Sequence, residues 1–378
     1  MNVPKLRYKK YSGNWNSSIF VNEIDIINGL NKEKEAFGTG TPIINYMDVN
    51  KNEVITKEKI KGLVKANKKE LSTFKVKKGD ILFTRTSETS DEIGLSSSVI
   101  EDIESCVFSG FILKGTQKNN IFSPIFSGYY FRNPSMRKEI MKHSSITTRA
   151  LTSGTLLNQM IINYPSIKEQ EDIGNLLLLL DKKIELQSKK IEALKLYKKG
   201  LSTTVFNSLR DFEKYKLGKI CNITTGKLDA NAMIDNGKYR FYTCAKEYSL
   251  IDKYAFDTEA LLISGNGAYV GYIHYYKGRF NAYQRTYVLD NFSQNIQFIK
   301  CYLEENLAKR INSEKKEGNT PYIVLSTLSD MVIKIPSKEN QIKISNIINC
   351  HNKKIELEEN KLLKLQELKK GLMQSMFV

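Results

Sequence analysis

Residues 165–206 read PSIKEQEDIGNLLLLLDKKIELQSKKIEALKLYKKGLSTTVF, and residues 336–377 read PSKENQIKISNIINCHNKKIELEENKLLKLQELKKGLMQSMF. The two stretches align at an offset of 171 without a gap and share 17 of 42 positions. The blocks Lys182–Leu186 and Lys353–Leu357 are identical, as are Lys198–Leu201 and Lys369–Leu372. Two copies at a period far above about 50 residues mean duplicated halves and not a solenoid.

Each copy predicts one long helix. In the first, apolar residues fall at Ile173, Leu177, Leu180, Ile184, Ile191, Leu194, Leu201 and Val205; in the second, at Ile344, Ile348, Ile355, Leu362, Leu365, Leu372 and Met376. The spacings are those of a heptad seam. Pro165-Ser166 and Pro336-Ser337 supply start signals. About 40 helical residues reach roughly 60 Å, and a seam of that length needs a partner. Since both heptad grid and sequence repeat, the partner expected is the other copy, paired antiparallel. A crossing near residue 192 would set Lys198 opposite Glu358 and Lys369 opposite Gln187.

The rest of the chain falls around these helices. Residues 1–163 form one globular block, 164–207 the central helix, 208–335 a second block and 336–378 the C-terminal helix. The second block echoes the first: Ala260–Ser264 (ALLIS) answers Asp80–Thr84, and Thr225-Gly226 answers the turn at Asn28-Gly29. Ile81–Phe83 reads as a short buried strand and Gln297–Ile311 as a helix. The fold class expected is α/β (α+β), with two domains, two long helices and a pseudo-twofold internal repeat.

Of the 378 residues, 41% are hydrophobic and 26% charged, enough for two cores. The net charge of +17 suits a polyanionic partner. It divides as +8, +2, +4 and +3 over the four segments, so the basic character is distributed and no single tail holds it. Five scattered cysteines have no metal-ligand or disulfide-framework spacing, and MNVPKLRYKK has no apolar signal core. The apolar run Leu176–Leu180 is far too short for a membrane span. A reducing cytoplasm is the expected compartment.

Catalytic motifs are missing. Gly265-Asn266-Gly267 is a lone Gly-x-Gly, and Asn319-Thr320-Pro321-Tyr322 lacks the second proline of a methyltransferase motif. Gly110–Gly115 has phosphate-loop spacing, but Thr116 stands where lysine is required. His143, His274 and His351 have no acid or cysteine at ligand or triad spacing. His351 lies on the helix seam and reads as structural. The sequence is that of a binding protein without its own cofactor or metal site.

Candidate phosphate contacts are Lys57, Lys59, Lys61, Lys65, Lys68 and Lys69. Candidate base readers are Arg85 and the segment Asn281, Tyr283, Gln284 and Arg285, because arginine pairs with guanine, and asparagine or glutamine with adenine.

The chain resembles, over its full length, the specificity subunit of type I restriction–modification enzymes. The resemblance rests on Val3–Tyr8 with Trp15, on Leu217–Ile220, on Phe280–Leu289 (FNAYQRTYVL), and above all on the paired Pro-Ser…Gln…Lys-Lys-Ile-Glu-Leu…Lys-Lys-Gly-Leu helices. It implies two target recognition domains, each reading one half of a bipartite site in double-stranded DNA, and two spacer helices forming an antiparallel coiled coil. It further implies two docked methyltransferase subunits and restriction (translocase) subunits, with S-adenosylmethionine, ATP and Mg sites in those partners. A stand-alone modifying enzyme conflicts with the missing motifs. A coiled-coil scaffold without DNA binding would be told apart by failing to bind heparin.

Overall fold

The two long helices span Ile167–Asn207 and Lys338–Ser375. The computed structural model describes residues 2–146, 150–314 and 322–378. By contact they belong to two units, Met1–Ser188 with Asn360–Val378, and Lys189–Glu359. Each unit thus holds one globular block and a stretch of each long helix.

In the first unit a five-stranded sheet runs in the order Ile24–Asn28, Ile112–Gln117, Ile81–Thr84, Ser96–Val99, Val54–Ile55. All four residues of Ile81–Thr84 are buried, as the unbroken apolar run requires of a central strand covered on both faces. The block's ends meet in an antiparallel ribbon, Asn16–Ile19 with Ile161–Tyr164, which feeds the first long helix. The core is aromatic: Phe83 and Phe131 meet edge to face at 5.3 Å, and Phe122, Phe126 and Tyr130 stack beside them. Ile173 and Leu177 of the first long helix and Met376 and Phe377 at the C-terminus complete the same cluster.

In the second unit six strands run in the order Asn222–Thr225, Thr286–Asp290, Phe256–Ser264, Ile273–Ala282, Tyr239–Tyr242, Ser249–Ile251. The helix Ile296–Glu314 contributes Phe298, Ile299, Leu303 and Leu307 to a core with Leu261, Ile263 and Leu289. A ribbon of Glu213–Lys216 with Val332–Ile335 again joins the ends of the block.

The repeated helix residues do the same work in both units. Gln170 and Gln341 are buried. The Gln170 side chain accepts from the Ser123 amide at 2.8 Å and donates to the carbonyls of Ile121 and Pro165. Gln341 accepts from the Asn295 amide at 3.0 Å and donates to Gln294 and to the Pro336 carbonyl. Phe206 packs on Phe298 and Tyr302 as Phe377 packs on Phe126 and Tyr130. The glutamine ties each long helix to the start of a helix in its block; the phenylalanine fills the apolar gap beneath.

Every seam residue is withdrawn from solvent. Leu177, Leu180, Ile191, Ile348 and Ile355 are buried; Ile184, Leu194, Leu201, Leu362, Leu365 and Leu372 are half-buried. The pairing is antiparallel: in the second unit Lys190 meets Glu358 and the Tyr197 ring meets His351, and in the first Asp181 meets Lys369. The register, however, differs from the expected one. Glu358 pairs with Lys190, eight residues before Lys198. Lys198 instead turns to Glu304 of the block helix, at 3.9 Å, and Lys369 bridges Glu53 at 2.8 Å and Asp181 at 2.6 Å. A slip of about a heptad leaves an apolar grid in phase, so the seam alone did not fix it. Carboxylates supplied by the globular blocks decide where the two repeated lysines go.

Candidate nucleic-acid interface

The strands of both sheets end in the same main-chain scaffold. In the second unit the amide of Gly265, directly after Phe256–Ser264, donates to the Arg285 carbonyl at 2.9 Å, and the Ile323 amide donates to the Gly265 carbonyl at 2.8 Å. Tyr283 N donates to Tyr242 O, Gln284 N to Leu228 O, and Thr286 N to Tyr283 O. In the first unit the amide of Arg85, directly after Ile81–Thr84, donates to the Phe111 carbonyl at 2.9 Å, and the Thr152 amide to the Arg85 carbonyl at 3.0 Å. Ser109 N donates to Ile44 O, Gly110 N to Leu30 O, and Ile112 N to Ser109 O. Five hydrogen bonds correspond one to one, so Ser109-Gly110-Phe111 is the counterpart of Tyr283-Gln284-Arg285, and Arg85 of Gly265. The bridges Leu30–Ser109 and Leu228–Tyr283, both parallel, confirm it.

What differs is side chains. A Cβ on Gly110 would lie 1.8 Å from Asn31 Oδ1, so the Asn31 amide fills the space that a side chain there would need. Its counterpart Asp229 accepts instead from the Gln284 amide at 2.6 Å. Phe111 is 63% exposed and borders a cavity lined by Tyr46, Thr86, Ser87 and Thr89, with Glu88 and Glu92. In the second unit Lys246 lies over the Tyr269 ring at 5.3 Å, beside the turn whose Gly267 takes φ +78°, a conformation that favours glycine.

The expected readers separate into available and committed groups. Asn281 is buried, donating to the Lys253 carbonyl at 3.0 Å and accepting from the Ala282 amide, so its amide is already satisfied inside the sheet. Gln284 is exposed but held by Asp229, and Tyr283 is half-buried. Arg285 is exposed and Arg85 half-exposed. Among the lysines, Lys57, Lys61, Lys65, Lys68 and Lys69 are exposed. Lys59 donates to the Val54 carbonyl at 2.9 Å, and burial lowers its pKa against the pull of Glu53, Asp181 and Glu185. It faces the protein. Lys61 and Lys65 flank the strand Gly62–Val64, in one sheet with Phe37–Ile44 and with Val107–Phe108, which runs directly into the Ser109–Phe111 tip.

Other motifs resolve as structure. Gly115 sits inside the strand Ile112–Gln117, so Gly110–Gly115 forms no phosphate loop. His143 does have an acidic neighbour, Glu139 Oε1 at 3.1 Å, one helical turn earlier; the i,i+4 pair closes a helix end. His274 Nε2 meets the Ala245 carbonyl at 2.9 Å, and burial lowers its pKa. All five cysteines are free thiols. Residues 319–321 lie outside the described residues. Among the described residues there is no cluster that could hold a metal ion, and no helix is long and apolar enough to cross a membrane.

The duplicated tips have a counterpart in the sequence comparisons. The model of the type I restriction modification DNA specificity domain matches twice, over residues 23–196 and 210–367. The chain belongs to this family. The type I restriction enzyme EcoDI specificity subunit of Escherichia coli is 34% identical over 165 residues, 44% of this chain and 36% of that protein, so the match spans about a third of the relative's length. Among solved structures, the type I restriction–modification S subunit from M. genitalium superposes with a TM-score of 0.68 at 17% identity, over all of this chain and 99% of that one. A chain described under complex assembly and conformational transition of the type I system matches with a TM-score of 0.54 at 14% identity, over 93% and 96%. These likenesses establish the fold as that of type I specificity subunits.

Proposed function

We propose that this chain is the DNA sequence-recognition subunit of a type I restriction–modification complex, acting in the cytoplasm. Each unit is a target recognition domain that reads one half of a bipartite site. The observation carrying the proposal is the pair of tips: one main-chain scaffold, built twice, carrying different side chains. A scaffold with identical residues at both tips would suit a palindrome; Gly110-Phe111 against Gln284-Arg285 suits two different half-sites. Exposed lysines beside the first tip would position the duplex through its phosphates, which carry no sequence information, while side chains at the tips reach base edges.

The helices support docking of two methyltransferase subunits. Leu186 and its repeat counterpart Leu357 are 66% and 55% exposed, and Tyr197 and its counterpart Leu368 are also exposed. Each unit therefore presents one leucine of the Lys-Lys-Ile-Glu-Leu block from one helix and an apolar residue from the other, an equivalent surface twice over. Methyl transfer with S-adenosylmethionine, and translocation and cleavage with ATP and Mg, belong in this reading to the partner subunits. The test is sequence-resolved methylation by the system's methyltransferase subunits with and without this chain. Modification confined to a bipartite motif, and only with the chain present, is expected; the same pattern without it would refute the proposal.

A further inference from the structure

Arg85 and Arg285 occupy opposite ends of one conserved piece of scaffold. Arg85 supplies the amide of the hydrogen bond to Phe111; Arg285 supplies the carbonyl of the equivalent bond from Gly265. The residue at the other end has in each case no hydrogen-bonding side chain. Among the described residues each tip therefore carries one guanidinium, placed on the partner strand that the other tip leaves bare; Arg149 lies outside the described residues. At Gly265 a Cβ would lie 2.4 Å from the Arg285 carbonyl oxygen, so that end of the second scaffold has no room for a side chain. Asn31 fills the space beside Gly110 in the first unit, whereas in the second Asp229 holds Gln284 alongside Arg285.

Neither guanidinium makes a hydrogen bond or ion pair among the described residues. Among the described residues, Arg210 is the other arginine of which this is true. Arg7 is paired with Glu169, Arg279 with Asp257 and Arg310 with Glu314; Arg132 and Arg137 bond main-chain carbonyls, and Arg240 lies between Tyr248 and Tyr276. Arg210 follows the end of the first long helix, far along the chain from either tip loop. An unpaired guanidinium on a rigid strand end is matched to the two acceptors, O6 and N7, that guanine shows in the major groove, and a lysine cannot reproduce that fork.

We infer that Arg85 and Arg285 are the specificity-determining residues of the first and second unit, each reading one guanine. The inference rests on the proposed DNA-reading function. It is tested on the complex of the full chain with its methyltransferase subunits, by methylome sequencing and by methylation rates on matched and singly substituted duplexes. Arg285→Ala and Arg285→Lys should each lower discrimination at one G·C pair, in one half-site, by about tenfold or more, leaving the other half unchanged. Arg85→Ala should do the same in the opposite half-site. Unaltered discrimination at every position, relaxation of the same half by both arginine variants, or a uniform loss of methylation in the alanine variant that the lysine variant restores would each overturn it, the last by assigning phosphate anchoring. Failure of the wild-type complex to methylate a defined motif would instead defeat the DNA-reading function itself.

Discussion

Lys190 Nζ lies 2.7 Å from a carboxylate oxygen of Glu358, and the glutamate side chain is 9% exposed while the lysine is half open to solvent. This pair belongs to the register of the two long helices within the second unit. A double-mutant cycle on Lys190 and Glu358, followed by urea unfolding of the full chain, should give a coupling of roughly 0.5–1 kcal/mol. The same cycle on Lys198 and Glu358 should give none, because Lys198 faces Glu304.

Lys369 ties the C-terminal helix to Glu53 and Asp181. Burial pushes the Glu53 carboxyl up, but Lys369 and Arg132 outweigh it and the group ends below its ordinary range. Burial likewise lowers Lys369, and the two carboxylates more than reverse it, so its pKa is raised. A depressed carboxyl contributes stability that is present above its unfolded value and lost as pH falls through the folded one. A raised lysine contributes stability present below its unfolded value and lost as pH rises through the folded one. The cluster should therefore stabilise across the neutral range and fail below about pH 4 and above about pH 10. Lys369→Met should cost about 3 kcal/mol near neutrality, and the difference from wild type should shrink at both extremes. Unfolding titrations across pH read this directly.

Gln170→Ala would strip partners from the Ser123 amide and from the Ile121 and Pro165 carbonyls, groups at a buried site. Unsatisfied buried polar groups cost about 1–3 kcal/mol each before any water enters, so a loss of about 2–3 kcal/mol is expected. Gln170→Glu keeps the acceptor for Ser123 but loses both donated bonds and should be no better. Gln341→Ala should destabilise comparably, as its counterpart. Chemical denaturation of the three variants decides whether the repeated glutamine has one role.

Leu186→Asp combined with Leu357→Asp changes two exposed positions and should leave the melting temperature within about 2 °C, since surface substitutions away from packed features are usually worth under about 0.5 kcal/mol. Co-purification of methyltransferase subunits with the double variant should be lost. Retention of both subunits would remove these leucines from the docking surface.

The duplication, the heptad seam and the apolar cores of the central strands, Ile81–Phe83 and Ala260–Ser264, were legible in the sequence, because each is a pattern of apolar side chains; the strand Phe256–Ser264 begins four residues earlier than that pattern. The helix register was not, because it depends on Glu53 and Glu304, carboxylates from the blocks that a seam analysis leaves out. Asn281 and Lys59 looked like contacts because amide and ammonium groups suit nucleic acid; the structure spends both on carbonyls of their own blocks. The kinship of Ser109-Gly110-Phe111 with Tyr283-Gln284-Arg285 left no trace in residue identity. It resides in main-chain hydrogen bonds, which residues as different as Ser109 and Tyr283, or Phe111 and Arg285, make equally.

The central claim is that two separately built units read the two halves of one DNA site. Replacing residues 208–335 with the corresponding block of a relative, and sequencing the methylome of cells expressing the chimaera with its methyltransferase, tests this most directly. The account predicts that one half of the methylated motif changes and the other is retained. A change in both halves together, or an active chimaera with the original motif in full, would contradict it.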